Sequence, residues 1–283
     1  MSAIVTSVAT TVIAMQCVAA GTSSAAPCPD AEIVFARGTT ELPGAGPTGD
    51  AFIDALRARV GAKSVGVYAV DYPATMAFST AVDGIADART HIMATVANCP
   101  TTKLVLGGFS QGAAVMGFVT ASVVPEGVSP EDVPAPMPPE VADHVAAVAL
   151  FGKPSDRFMK VIKDPDVVVG PNYAAKAIDL CVDNDLVCDP HGTSFSVHNQ
   201  YAELGLVDQG AVFAAQRLQA AWAADTAATV AGTVPESPIT PDATSLSTVD
   251  QAPSQHLAPT LPIAPGPAPL PGPPALVDPT PTI

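Results

Sequence analysis

Lys103-Leu104-Val105-Leu106-Gly107-Gly108-Phe109-Ser110-Gln111-Gly112-Ala113-Ala114-Val115-Met116 is the stretch whose reading decides the fold. Lys103 to Gly107 is a short apolar run of the kind that forms a buried strand, and Gln111 to Val123 has the composition of an apolar helix. Between them Gly108-Phe109-Ser110-Gln111-Gly112 fits G-x-S-x-G. In that motif a serine sits on a strained strand-to-helix turn that lifts its hydroxyl above the sheet edge. Glycines flank the serine because larger side chains would collide with neighbouring backbone. The pentapeptide alone is a cheap signal; a strand before it and a helix after it are the context it demands.

Outward from this point the chain alternates between the two periodicities. Glu32 to Ala36, Val65 to Val70, Val145 to Phe151 and Ala177 to Leu180 read as further strands. Asp50 to Val60 (with Asp50 as cap), Thr80 to Val96, His198 to Leu204 and Gln209 to Ala224 read as helices. Such alternation predicts an α/β fold of the α/β-hydrolase type: three αβα layers around a central, mainly parallel sheet. Pro125 to Pro139 is a proline-rich insertion that cannot form a regular element. It is either a flap over a pocket or a long surface connection, and the connection is the simpler reading.

The two ends differ from the middle. Val5 to Ala20 is apolar and small, and Ser24-Ala25-Ala26 offers a cleavage site, so residues 1–26 are expected to be an export signal, although no Lys or Arg precedes the apolar run. From 231 to 283 the chain is expected to be a disordered, polyproline-like tail. Fourteen of the 30 prolines lie after residue 234, among too few large apolar residues to outweigh the entropy of ordering. The span between, 27–230, is long enough for one α/β domain with a substantial core. The net charge is −15, from 12 Lys+Arg against 27 Asp+Glu, and no basic cluster occurs. That argues against nucleic acid as a partner and suits an exported protein kept soluble by its charge.

A serine needs a base to become a nucleophile. His91 precedes Ser110, against the Ser–Asp–His order of this fold; His144 starts a strand, at the sheet edge opposite the catalytic one. His256 is in the tail, and His191 is in a turn close behind the acid candidates. His198 remains, at a loop-to-helix junction after the last strand. The acid is one of Asp183, Asp185 and Asp189, which lie in or beside the segment Cys181 to Cys188; their positions do not choose among the three. With Cys17 removed with the signal, Cys28, Cys99, Cys181 and Cys188 form an even set that predicts two disulfides in an exported chain. Three pairings are possible; proximity favours Cys181–Cys188, which leaves Cys28–Cys99. The cysteine spacings are not metal-like, and no metal or cofactor is expected.

Taken together, Cys28, FARGTTE (Phe35 to Glu41), Cys99, GGFSQG, CVDNDLVC, and His198 with Tyr201 and Gly205 resemble the cutinases, in particular the cutinase-like proteins of mycobacteria and related actinobacteria. The resemblance covers about residues 28 to 224. It implies Asp185 as the acid, four residues after the first loop cysteine, and His198 as the histidine thirteen residues later. It implies an oxyanion hole made by Thr39 and the backbone N–H of Gln111, with Thr39 standing where fungal members carry serine. It also implies apolar rims near the histidine, here Phe195 and Val197, and after the second strand, here Pro73, Met76 and Phe78. Core packing is the plain alternative for each of these apolar residues.

The expectation is therefore a secreted, monomeric serine esterase acting on esters of lipids or short-to-medium acyl chains through an acyl-enzyme. The tail offers a means of cell-wall association. Two rivals stand beside it: a phospholipase or acyltransferase on envelope lipids, which shares the acyl-enzyme, and a non-catalytic cell-wall protein.

Overall fold

The structure is a computed structural model and describes residues 27–232. The expected signal (1–26, with Cys17), His256 and the tail beyond residue 232 lie outside the described residues.

Five strands form one sheet: β1 (Ala31–Ala36), β2 (Val65–Ala69), β3 (Lys103–Phe109), β4 (Val145–Phe151) and β5 (Ala177–Leu180). Their order is β2-β1-β3-β4-β5, and every pairing is parallel. Parallel neighbours need crossover connections, and the helices lie along or after them. They are α1 (Gly46–Arg57), α2 (Ala81–Asn98), α3 (Gln111–Val119), α4 (Asp156–Ile162), α5 (Pro171–Ala174) and α6 (Leu206–Gly232). Alternation along β1 shows how the layers assemble. Ile33 and Phe35 join Phe52 and Leu56 of α1 and Ala211 and Leu218 of α6 on one face. Val34 and Ala36 join Ile85 and Ile92 of α2 and Val115 and Met116 of α3 on the other. A sheet covered on both faces must be apolar on both, which is why its central strands read as continuous hydrophobic runs.

Four elements depart from expectation by more than two residues, and one is α6, which runs Leu206–Gly232 where Gln209 to Ala224 is expected. α1 begins at Gly46, not Asp50, with Pro47 in its first turn; Asp50 lies a turn inside the helix and caps nothing. α3 stops at Val119, where the Thr120 hydroxyl donates back to the Met116 and Gly117 carbonyls and the Thr120 carbonyl accepts from Gly170 N–H. His198 to Leu204 is no α-helix but a 3₁₀ turn over Ser196–Asn199 followed by further turns. The fully buried Tyr201 pins this segment, its carbonyl accepts from Leu206 and Val207, and Gly205 turns the chain at φ 79° into α6. The helices α4 and α5 have no counterpart in the sequence reading; Ser155 caps α4, accepting from Phe158 N–H.

The insertion carries no regular element over 125–138, as its prolines dictate. It is more than a surface connection. Its residues wall a cavity against α2 and the end of α3, so the flap reading is the one the structure favours. Both disulfides form as expected, Cys28–Cys99 and Cys181–Cys188.

Candidate active site

The order of a doubly wound sheet fixes where a site can be. The chain reverses its direction of winding between β1 and β3, so the loops leaving their carboxyl ends diverge and open a crevice. Thr39 leaves β1 and Ser110 leaves β3, one on each side of that crevice.

Ser110 has φ 54° and ψ −118°, a conformation unfavourable for any side-chain-bearing residue. The surroundings hold it there. Its N–H donates to the Phe151 carbonyl (2.9 Å), and its carbonyl accepts from Ala114 at the start of α3 (3.1 Å). The two motif glycines allow the turn by close approach: a Cβ on Gly108 would strike the Gly112 carbonyl, and one on Gly112 the Ala36 carbonyl.

The structure brings the sequence-selected side chains together. Ser110 Oγ lies 2.8 Å from His198 Nε2, and His198 Nδ1 lies 2.6 Å from Asp185 Oδ2. Asp185 and His198 are buried, while Ser110 is half-buried at the turn between β3 and α3. Asp183 is exposed, and Asp189 accepts from the N–H groups of Asn184 and His191, so those two shape the loop and do not approach the imidazole. The remaining histidines are elsewhere. His91 bonds Glu32 (2.9 Å) and stacks on Tyr68, His144 faces the Pro100 carbonyl, and His191 is exposed.

Burial alone would push the Asp185 carboxyl up, but hydrogen bonds from His198, from Val187 N–H (2.9 Å) and from the Tyr201 hydroxyl (2.8 Å) outweigh it and hold the group below the usual carboxylate range. Tyr201 belongs to the sequence resemblance but carries no role there. Burial and the adjacent carboxylate push its phenol well up, so it stays a donor. The Cys181–Cys188 bridge closes the loop that carries Asp185, and Tyr201 Oη lies 3.1 Å from Cys188 Sγ. Phe109 stacks on the His198 ring at 5.0 Å.

Thr39 lies half-buried in the turn after β1. Gln111 is the first residue of α3, where an N–H has no acceptor within the helix. Its side chain donates to the Thr75 carbonyl (3.0 Å), tying the start of α3 to the loop that bears Met76. The buried Arg37 of the FARGTTE segment, to which the sequence assigns no role, latches the Thr39 loop. Its Nε donates to the Glu41 carbonyl (2.9 Å) and its guanidinium to the carbonyls of Val70 and Tyr72. Glu41 in turn accepts from Gly38 N–H (2.7 Å), and burial raises its carboxyl.

The expected acyl-rim residues divide. Met76 is 80% exposed and Phe195 59% exposed, and the Phe195 ring lies 5.4 Å from that of His198. Val197 packs against the main core and Phe78 against the cluster of Ala114, Met159 and Val167, so both have the packing role.

The profile of the family described as Cutinase matches residues 27–218. The chain belongs to the cutinase family. It is 63% identical over 167 residues to the probable carboxylesterase Culp5 of Mycobacterium tuberculosis, covering 59% of this chain and 95% of that one. It is 44% identical over 195 residues to the phospholipase Culp4 of the same organism, covering 69% and 81%. Among solved structures it is similar to a Trichoderma reesei cutinase in complex with a C11Y4 phosphonate inhibitor, at 28% identity and TM-score 0.51, covering 68% of this chain and 78% of that one. The expected family and fold class are thus both met, and the chain is an ester hydrolase of the cutinase family.

Proposed function

We propose that this protein is a secreted serine esterase that hydrolyses carboxylic esters of lipids or short-to-medium acyl chains through an acyl-enzyme on Ser110. The observation that carries the reading is the unbroken relay from Ser110 Oγ to His198 to Asp185, at 2.8 and 2.6 Å. His198 Nε2 takes the serine proton as Oγ attacks the ester carbonyl, and Asp185 fixes the tautomer and stabilises the imidazolium. The tetrahedral oxyanion is held by Thr39 and the Gln111 N–H, donors of a kind typically worth roughly 3–4 kcal/mol of barrier. His198 returns its proton to the leaving alcohol, and water, deprotonated by the same imidazole, releases the acid. Met76 and Phe195, exposed beside the crevice, are the residues we assign to acyl contact. Residues 1–26 serve as the export signal, consistent with two disulfides in the domain that follows. The tail provides cell-wall association, and the domain acts as a monomer.

The test is Ser110→Ala, assayed on p-nitrophenyl butyrate with circular dichroism as the control for folding. Loss of at least about 10³-fold in kcat is expected from removal of the nucleophile; wild-type turnover in a folded variant would refute the reading. The similarity to a named phospholipase favours one second reading, a phospholipase or acyltransferase using the same acyl-enzyme. Product analysis with phospholipid and an alcohol acceptor present separates them, since transfer yields a new ester and hydrolysis only free acid.

A further inference from the structure

The flap made by the insertion walls an open cavity of about 260 Å³ against α2 and the far end of α3. Its walls are mostly apolar: Val82 and Ile85 of α2, Phe118 and Val119 of α3, and Val128 and Val133 of the flap. Ser110 and His198 are not among its lining residues. Phe118 lies eight residues along α3 from Ser110, roughly 12 Å at the helical rise. Arg89 also lines it, on the same face of α2 as Val82 and Ile85 by their seven- and four-residue spacings.

Arg89 is unusual within this chain. All six arginines lie among the described residues, and Arg37, Arg57, Arg59, Arg157 and Arg217 each donate hydrogen bonds. Arg89 donates none, and its Nε is fully buried without a partner. Asp132 and Asp164 share the cavity wall, yet neither forms an ion pair with it, and the Asp164 carboxyl is raised by burial alone. A buried guanidinium donor without an acceptor is costly, and in a chain of net charge −15 acidic side chains are plentiful. An apolar slot bordered by an arginine whose buried Nε lacks an acceptor is complementary to an alkyl chain with a carboxylate head.

We infer that this cavity binds a free fatty acid, its chain under the flap and its carboxylate on Arg89, at a site separate from the acyl groove at Ser110. The ligand class rests on the proposed esterase reading, because a fatty acid is what that reaction releases. An acyl chain still bonded to Ser110 does not satisfy the site, since it would present a terminal methyl to the guanidinium.

The experiment is calorimetric titration of dodecanoate into the full chain, before and after Ser110 is blocked with a fluorophosphonate. One dodecanoate is expected to bind the blocked protein. Arg89→Met should weaken that binding by about tenfold or more, the loss of one charge-assisted hydrogen bond, and Arg89→Lys should retain most of it. Dodecan-1-ol, with the same chain and no charge, should not distinguish wild type from Arg89→Met. Absence of saturable binding, its loss on blocking Ser110, or equal affinity of Arg89→Met for dodecanoate would overturn the inference. If Arg89→Met does not fold, Val82→Trp, which fills the cavity, must abolish binding in its place. Failure of the fluorophosphonate to label would count against the esterase reading alone, leaving titration of the untreated protein to decide on the cavity.

Discussion

Ser110 occupies a positive-φ backbone conformation that no sequence pattern states directly, yet the two glycines around it announce the turn. The histidine is also legible, because chain order, strand position, the tail and closeness to the acid candidates set aside the other four. The acid is not legible from position alone. Asp183, Asp185 and Asp189 fall within seven residues, and before the fold shows which one meets His198, only family spacing separates them. Tyr201 is the least legible of the group. A tyrosine near a histidine carries no signal until the fold buries it against Asp185 Oδ2 at 2.8 Å. Its hydroxyl donates to the carboxylate that orients the imidazole, so Tyr201→Phe should lower kcat about tenfold, one lost hydrogen bond to a charged group, with KM little changed. The same loss leaves Asp185 more basic and should move the acid limb of the pH–rate profile upward. An unchanged profile would show that Tyr201 only fills space.

Elements are legible in type and less so at their ends. All five strands and the helices α1, α2, α3 and α6 follow from periodicity, because each buries a face whose spacing is visible in the chain. Boundaries depend on groups outside the periodic run: Gly46 and Pro47 start α1, and Thr120 with Gly170 ends α3. The segment bearing His198 reads as an α-helix in sequence and is not one, because one buried tyrosine, not a repeating face, decides its path. The disulfides act on this scale too. Cys28–Cys99 joins the chain before β1 to the end of α2, a sequence separation of 71. Replacing both cysteines with serine should cost roughly 4 kcal/mol in the chain-entropy model, read as a lower midpoint in urea with activity retained below it.

Over the whole molecule, the sheet order places the β1 and β3 loops around one crevice, and the aromatic residues beneath hold the layers in register. Phe35, Phe52 and Phe151 come from β1, α1 and β4, with ring centroids 5.4 to 6.3 Å apart and no exposed surface. Phe151→Ala should therefore destabilise the fold by about 3–5 kcal/mol. It should also impair activity, since the Phe151 carbonyl accepts from Ser110 N–H and its displacement loosens the turn. Acid stability has an assignable contributor in Asp30, which joins the start of β1 to the approach to β2. Hydrogen bonds from the Lys63 side chain and from Ser64 lower its carboxyl to about 2. A folded value below the unfolded one of about 3.9 gives stability that is present above the unfolded value and lost as pH falls through the folded one. Asp30→Asn should thus melt below wild type at pH 6, with the difference closing as pH approaches 2. A constant gap would assign the effect to packing.

By itself the sequence determined the layered α/β fold, the candidate serine and histidine and the cysteine set, because each rests on local pattern: a period, a motif or a chain order. Only the tertiary structure decided which carboxylate meets the imidazole in space, which of the expected rim residues are exposed and which are core, and where the insertion packs. Met76 and Phe195 are exposed, while Phe78 and Val197 are packed, although all four read alike in the chain. Proline forbids regular structure within the insertion, but its destination depends on the faces of α2 and α3 that it meets across the fold. Arg89 is one cation among twelve in the sequence, and only the fold buries its Nε without a partner.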